Sequence, residues 1–287
     1  MIDLHMHSMY SVDGSETVET MLKMAEQKKL EYISITDHEN CNSYKELKNM
    51  DIKKYYSGKI IPGVEIKTMV AGISIELLGY YVEPEIINEE LPKISVPIKQ
   101  IIEYELYEFM DILEKKGVKL DRDVIIENHK YKMGQVAVRE NVEQYPENLE
   151  ILKGTSFQED GKFYRESISN PNSEFYIDTS HLIPQVGKII ELIKSAGGLV
   201  FIPHVFIYGN NSIKVLEELT TKYNIDGIEC YYPRFTEEQT KFLLDLCNEK
   251  GLYKSGGTDF HGKARPNITI GDMKVETNII SEWVKEG

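Results

Sequence analysis

Cysteine is scarce. The 287 residues hold three (Cys41, Cys230, Cys247), an odd number without CxxC spacing. That argues against a disulfide frame or a zinc knuckle and fits reduced thiols in a cytoplasmic protein. No run of about 18 apolar residues occurs, so no membrane span is expected, and no basic segment followed by an apolar run marks a signal peptide. Positive charge is in deficit: 33 Lys and Arg stand against 47 Asp and Glu, for a net charge of −14. Phosphate neutralisation dominates affinity for duplex nucleic acid, so no long-duplex binding is expected. An acidic chain can still take a phosphorylated small molecule or a short oligonucleotide if bound cations supply the positive charge. A phosphate-binding Gly-rich loop ending in Lys-Ser/Thr is missing, as is a Ser-His-Asp order. The NTPase and serine hydrolase readings therefore fall away.

What is present suits a packed α/β protein: 41% of residues are hydrophobic and 28% charged. Short apolar runs at 2–7, 32–36, 59–66, 73–82, 198–203, 226–232 and 252–258 read as seven strands. Amphipathic stretches at 17–30, 182–197 and 236–251 read as helices, the first after a capping Ser15 and the last between a Thr-Glu-Glu start and Gly251. Their alternation implies a mainly parallel sheet, open or closed into a barrel. Residues 95–180 break the rhythm, with a long amphipathic helix at 98–117, one or two more over 121–145, and a polar, turn-rich stretch at 154–179. The expected organisation is a discontinuous β/α unit (1–95 and 180–287) carrying an inserted, mainly helical lobe (96–179).

Five of the seven histidines fall at the carboxyl-terminal ends of expected strands. His5 and His7 alternate along the first strand and so share one face. His38 ends "ISITDH", His204 follows "LVFIP", and His261 lies in "GGTDFHG" beside Asp259. Glu65 ends "IIPGVE". In a parallel barrel those ends form one rim, where active sites are built. Each residue alone has an ordinary explanation: His204 as a hydrogen-bonded structural histidine, Asp37 as a helix cap. Two imidazoles on one buried strand face, however, have little purpose without a metal. A His/Asp/Glu set too large for one ion implies several, suited to activating water and clamping a phosphoryl oxygen.

Taken in order, "HMHSMYSVDG", "ITDH", "PGVE", "LLGYYV", "IPHV" and "GGTDFHG" resemble the motifs of the polymerase and histidinol phosphatase (PHP) superfamily of metal-dependent phosphoesterases. The likeness covers roughly residues 1–82 and 197–271. "GIECYYPRFTEEQ" is similar to the branch acting on nucleotides and oligonucleotides. The resemblance implies a distorted seven-stranded β/α barrel with two to three divalent ions (Mn, Fe or Zn). His5, His7, Glu65 and Asp259 would hold one ion. Glu65 would bridge to a second, also held by His204, and Asp13, His38 and His261 would hold a third. Many relatives have His where this chain has Glu76 before "LLGY". Glutamate can ligate the same ion and would tilt preference from Zn towards Mn, Fe or Mg.

Hydrolysis of a nucleotide or short-oligonucleotide phosphate ester by a metal-bound hydroxide is the leading expectation, with Asp259 or His261 assisting proton transfer. Histidinol phosphate is the alternative substrate, and a non-catalytic metal-stabilised module is the alternative class. Arg139, Lys162, Arg165, Arg234 and Arg265 are candidate phosphate contacts, and Tyr232 is a candidate ring for stacking on a base. Arg139 and Arg165 can serve only if the lobe folds over the rim. His129 and His181 are not counted as ligands.

Overall fold

The computed structural model describes residues 1–130, 134–158 and 164–284. It is an α/β structure in which β1 (Ile2–Met6), β2 (Tyr32–Ile35) and β3 (Lys59–Ile60) form a parallel three-stranded sheet. β4 (Gly63–Val70), β5 (Ile73–Tyr80), β6 (Leu199–Ile202), β7 (Gly227–Tyr231) and β8 (Tyr253–Gly256) form a mixed five-stranded one. The helices are α1 (Val18–Gln27), α2 (Asn42–Leu47), α3 (Pro84–Ile94), α4 (Ile98–Lys115), α5 (Arg122–His129), α6 (Gly134–Val142), α7 (Pro146–Ile151), α8 (Val186–Ser195), α9 (Ser212–Lys222) and α10 (Glu237–Lys250). Among the described residues no helix is long and apolar enough to cross a membrane.

The closed seven-stranded barrel expected from the resemblance is not what the ladders form. Among the described residues eight strands make two sheets, and the break between β3 and β4 arises within the expected strand 59–66. Ile61 still donates to Ile33 of β2 (2.8 Å), but Pro62 has no N–H to continue that ladder, and its carbonyl instead accepts from Tyr81 (2.7 Å). From Gly63 onward the chain pairs antiparallel with β5 through a two-residue turn, Ala71–Gly72, whose φ values of +50° and +79° match a type I′ hairpin. The two sheets meet through single bridges, Met6 at the end of β1 with Phe260 beyond the end of β8, and His38 with Glu65 near the start of β4.

α10 begins with the expected capping box (Thr236 and Gln239) and ends at Gly251 in the left-handed region. α1 is capped by Thr17 rather than Ser15. Ser15 instead accepts from the Lys263 N–H (2.8 Å), tying the loop after β1 to the loop after β8. The main core packs α1, α2, α3, α8, α9 and α10 against the sheets. A second apolar cluster, with Leu106, Phe109, Leu113, Ile125, Val138 and Phe175 at its centre, lies within the 98–177 region.

Candidate metal centre

β1 is buried along its length, and its Asp3 and His5, with His7 just past its end, alternate with Ile2, Leu4 and Met6. That gives one polar buried face, which β8 and its loop cover closely. A Cβ at Gly257 would lie 2.4 Å from the His5 Cβ, so only glycine admits this approach. On β4 and β5 the register sets Glu65 opposite Leu78 and Lys67 opposite Glu76, so these four side chains share a face. His204 (φ +26°) and Asp259 (φ +54°) occupy the left-handed region disfavoured for side-chain-bearing residues. Such strain persists where surrounding structure over-determines it, as at functional sites.

These elements bring all nine expected ligands into three groups with close ligand atoms. The groups are His5, His7, Glu65 and Asp259; Glu65, Glu76 and His204; and His7, Asp13, His38 and His261. Glu65 belongs to two groups and so does His7. The sharing by Glu65 follows the expected bridge; that by His7 was not anticipated.

The spacing fits cation binding better than a hydrogen-bond network. His5 Nε2 and His7 Nε2 each lie 3.2 Å from Glu65 Oε2, and they lie 3.5 and 3.3 Å from Asp259 Oδ1. His38 Nδ1 is 3.4 Å from Glu65 Oε2, and His261 Nε2 is 3.0 Å from Asp13 Oδ2. Donors sharing one ion at about 2.0–2.2 Å stand about 2.8–3.6 Å apart for bond angles between right and tetrahedral. His7 Nε2, His38 Nδ1 and His261 Nε2 are buried without a hydrogen-bond partner, although a buried polar atom ordinarily has one. An ion between them and the carboxylates would use those lone pairs. The second group is looser, with His204 Nε2 at 2.8 Å from Glu65 Oε1 but 3.9 Å from Glu76 Oε2.

The electrostatics follow from this crowding. Burial alone would lower the His5 pKa, but Glu65, Glu229 and Asp259 outweigh it and hold the imidazolium well above the usual range. Burial is likewise overcome at His38, where Asp13 and Glu65 push the value up to about 10. The carboxylates shift the other way. Against burial, His5 and His38 hold Glu65 well below its usual range, and His5 and Arg265 do the same for Asp259. His261 is lowered by burial and by His7, which keeps its imidazole neutral near pH 7. Without metal, then, protons on histidine occupy places a cation would take.

The candidate phosphate contacts divide. Arg165 reaches from the 164–168 turn to the rim, but its NH2 donates to both oxygens of Glu76 (3.0 and 2.8 Å), its NH1 to the Ser74 carbonyl (3.3 Å), and it lies over the Tyr208 ring. The extra negative charge expected from Glu76 is thereby offset by the guanidinium, so Glu76 hardens the site less than its charge alone would. Arg265 pairs with Asp259, as does the Tyr232 hydroxyl at 3.0 Å. Tyr232 is buried, so it holds a ligand and is not an exposed stacking ring. Arg234 is exposed and has no ion-pair partner among the described residues. Arg139 donates to the Phe157 carbonyl (2.6 Å) and lies over its ring, inside the helical region. Lys162 falls outside the described residues.

Glu76 and Arg165 should therefore behave as one unit. Glu76→His alone leaves a half-buried guanidinium without its carboxylate, whereas Glu76→His with Arg165→Met removes both charges. Denaturant unfolding of the four proteins is expected to give a coupling of about 1–3 kcal/mol; additive losses would show that the pair is incidental.

Three buried carboxylates around the ligands were not anticipated in these roles. Asp3 accepts from Thr258 N (3.0 Å), Thr258 Oγ1 (2.7 Å) and Gly271 N (2.8 Å), and burial raises its pKa to about 6. Asp37 holds Ser8 through its N–H (2.7 Å) and hydroxyl, shaping the loop after β1 rather than capping a helix. Glu229 binds His5 Nδ1 (3.0 Å) and His204 N (2.8 Å). The available signal was an acidic residue within an apolar strand, "GIECYY", and Asp3 at the inward-facing position before His5.

The PHP domain family matches residues 3–195 of this chain. Over 272 residues the chain is 24% identical to the phosphoribosyl 1,2-cyclic phosphate 1,2-diphosphodiesterase of Eggerthella lenta, an alignment spanning 91% of this chain and 94% of that one. Among solved structures, a protein of Bifidobacterium adolescentis described as a candidate metal-dependent phosphoesterase superposes with a TM-score of 0.62 at 19% identity. That superposition covers 98% of this chain and 94% of the other. An amidohydrolase of Chromobacterium violaceum, solved with sulfate and without metal, gives a TM-score of 0.59 at 21% identity, covering 91% and 87%.

Proposed function

The chain belongs to the PHP domain family and is a metal-dependent phosphoric ester hydrolase; from that premise we propose that its substrate is a phosphorylated ribose, free or within a nucleotide or short oligonucleotide. The observation that carries the proposal is the set of three ligand groups joined through Glu65 and His7. In this reading His5, His7, Glu65 and Asp259 hold one divalent ion, Glu65, Glu76 and His204 a second, and His7, Asp13, His38 and His261 a third. Divalent ions there would supply the Lewis acidity that activates water and offsets charge building on the phosphoryl oxygens.

The chain's own groups do the rest. Arg265 and Tyr232 fix Asp259 from the side away from the histidines. Because Asp259 stays ionised, it is a poor proton donor. His261 donates from Nδ1 to the Asp259 carbonyl (2.8 Å) and turns Nε2 towards Asp13, so as a ligand of the third ion it is held in one tautomer and has no lone pair left to take up a proton. Arg234 is free to meet a phosphate remote from the ions. The helical region 96–179, read as a lobe, reaches the rim through Arg165. The Eggerthella lenta relative, named for a cyclic ribose phosphate diester, favours ribose over histidinol phosphate.

The test is phosphate release and product analysis with Mn²⁺ across a five-membered cyclic ribose phosphate, AMP, 3′,5′-bisphosphonucleosides, short oligonucleotides and histidinol phosphate. Ribose phosphates are expected to be turned over fastest. Preference for histidinol phosphate would move the chain to that reading, and no turnover of any ester would favour a non-catalytic module.

A further inference from the structure

Glu229 lies in the middle of β7, fully buried, and belongs to none of the three ligand groups. Its two oxygens serve two ligand residues from different groups. Oε1 faces His5 Nδ1 at 3.0 Å, and Oε2 accepts from the His204 backbone N–H at 2.8 Å. We propose that Glu229 is the positioning residue for the first two groups: it fixes His5 with the proton on Nδ1 and pins the left-handed backbone of His204. The inference rests on the reading of those groups as metal-binding.

A neutral imidazole carries one N–H, and a carboxylate oxygen facing Nδ1 demands that it be there. Nε2 then presents a lone pair towards the point between Glu65 and Asp259, where a cation would lie. His204 follows Pro203 with φ +26° and ψ +41°, a left-handed conformation that a side-chain-bearing residue keeps only where its surroundings hold it. Its N–H is held by Glu229, and its Nε2 lies 2.8 Å from Glu65. One side chain therefore aims two ligands that share no secondary-structure element. A carboxylate is the side chain of this length that can do both. Glutamine has one acceptor oxygen, and its amide nitrogen would meet a donor at the other position. The third group contains neither His5 nor His204, so it lies outside this control.

The experiment uses the full chain loaded with Zn²⁺, in wild-type form and as Glu229→Gln. Cation stoichiometry and affinity are read by competition with a coloured chelator, and the His5 tautomer by long-range ¹H–¹⁵N correlation. Glu229→Gln is expected to weaken two of the bound ions about 10–100-fold, the usual cost of losing a partner that orients a ligand. The third ion should keep its affinity, and the wild-type His5 should carry its proton on Nδ1. Equal weakening of all three ions would mark a general loss of structure and overturn the proposal, as would unchanged affinities. A wild-type His5 protonated on Nε2 would overturn it without any variant, should Glu229→Gln not fold. A wild-type protein that takes up no Zn²⁺ would instead overturn the underlying metal-binding reading.

Discussion

A protein carrying His7→Ala is expected to lose two of its ions and more than about 10³-fold in kcat/KM while keeping its fold. His7 lies in two of the three ligand groups, and its ring stacks on that of His261 with centroids 4.2 Å apart. Loss of a single preorganised electrostatic contact already costs about 10²–10³, and here one substitution opens two groups at once. Elemental analysis after saturation with Mn²⁺, read beside circular dichroism, checks both halves. Near-normal turnover in a folded His7→Ala protein would remove His7 from the site. His38→Ala, which opens one group, should do less damage.

Chelation is expected to abolish turnover and to lower the melting temperature by an amount that grows with pH. In the cation-free protein His38 titrates near 10, above its ordinary value of about 6.5. A raised pKa contributes stability that is fully present below the unfolded value and is lost as pH rises through the folded one. Between about pH 6.5 and 10 the unfolded chain has released this proton and the folded, cation-free protein still holds it against Asp13 and Glu65, so the stabilisation it contributes falls steadily across that window. The cation-loaded protein has no such proton to lose. For the same reason, cation uptake at pH 7 should release protons, measurable by titration calorimetry in buffers of different ionisation enthalpy. A chelated protein whose melting temperature stays flat over that window would show that the His38 imidazolium is not the balancing charge.

Much of the ligand set could be read before the fold was known, because ligands at strand ends follow from local patterns. The alternation of His5 and His7, and the positions of His38, His204 and His261 just past apolar runs, need no tertiary information. Glu65 ends the expected strand 59–66 but is the third residue of β4, so its place among the ligands followed from the family resemblance, as did those of Asp13 and Glu76. Pro62 divides that strand between two sheets, and the partner exchange depends on β5, which local pattern does not reveal. The partners of the arginines were also hidden. Nothing in "YRESI" says that Arg165 meets Glu76, 89 positions earlier, because that contact depends on how the helical region docks. Glu229 was passed over because one acidic residue in an apolar strand has no periodicity to reveal it.

The seam between the two sheets bears on how the chain is made. β1 pairs on one side with β2, about 30 residues on. On the other side it meets the segment around Thr258, 255 residues later, through Asp3. At about 5–20 residues per second, a ribosome needs roughly 13–50 s to deliver that second partner. Through that interval one edge of β1 stays open, with Asp3, His5 and His7 lacking most of their companions, and open strand edges invite wrong pairing. Contacts this distant in sequence also slow folding. The centre is therefore among the last parts of the molecule to form, and full loading with metal must wait until synthesis has passed His261.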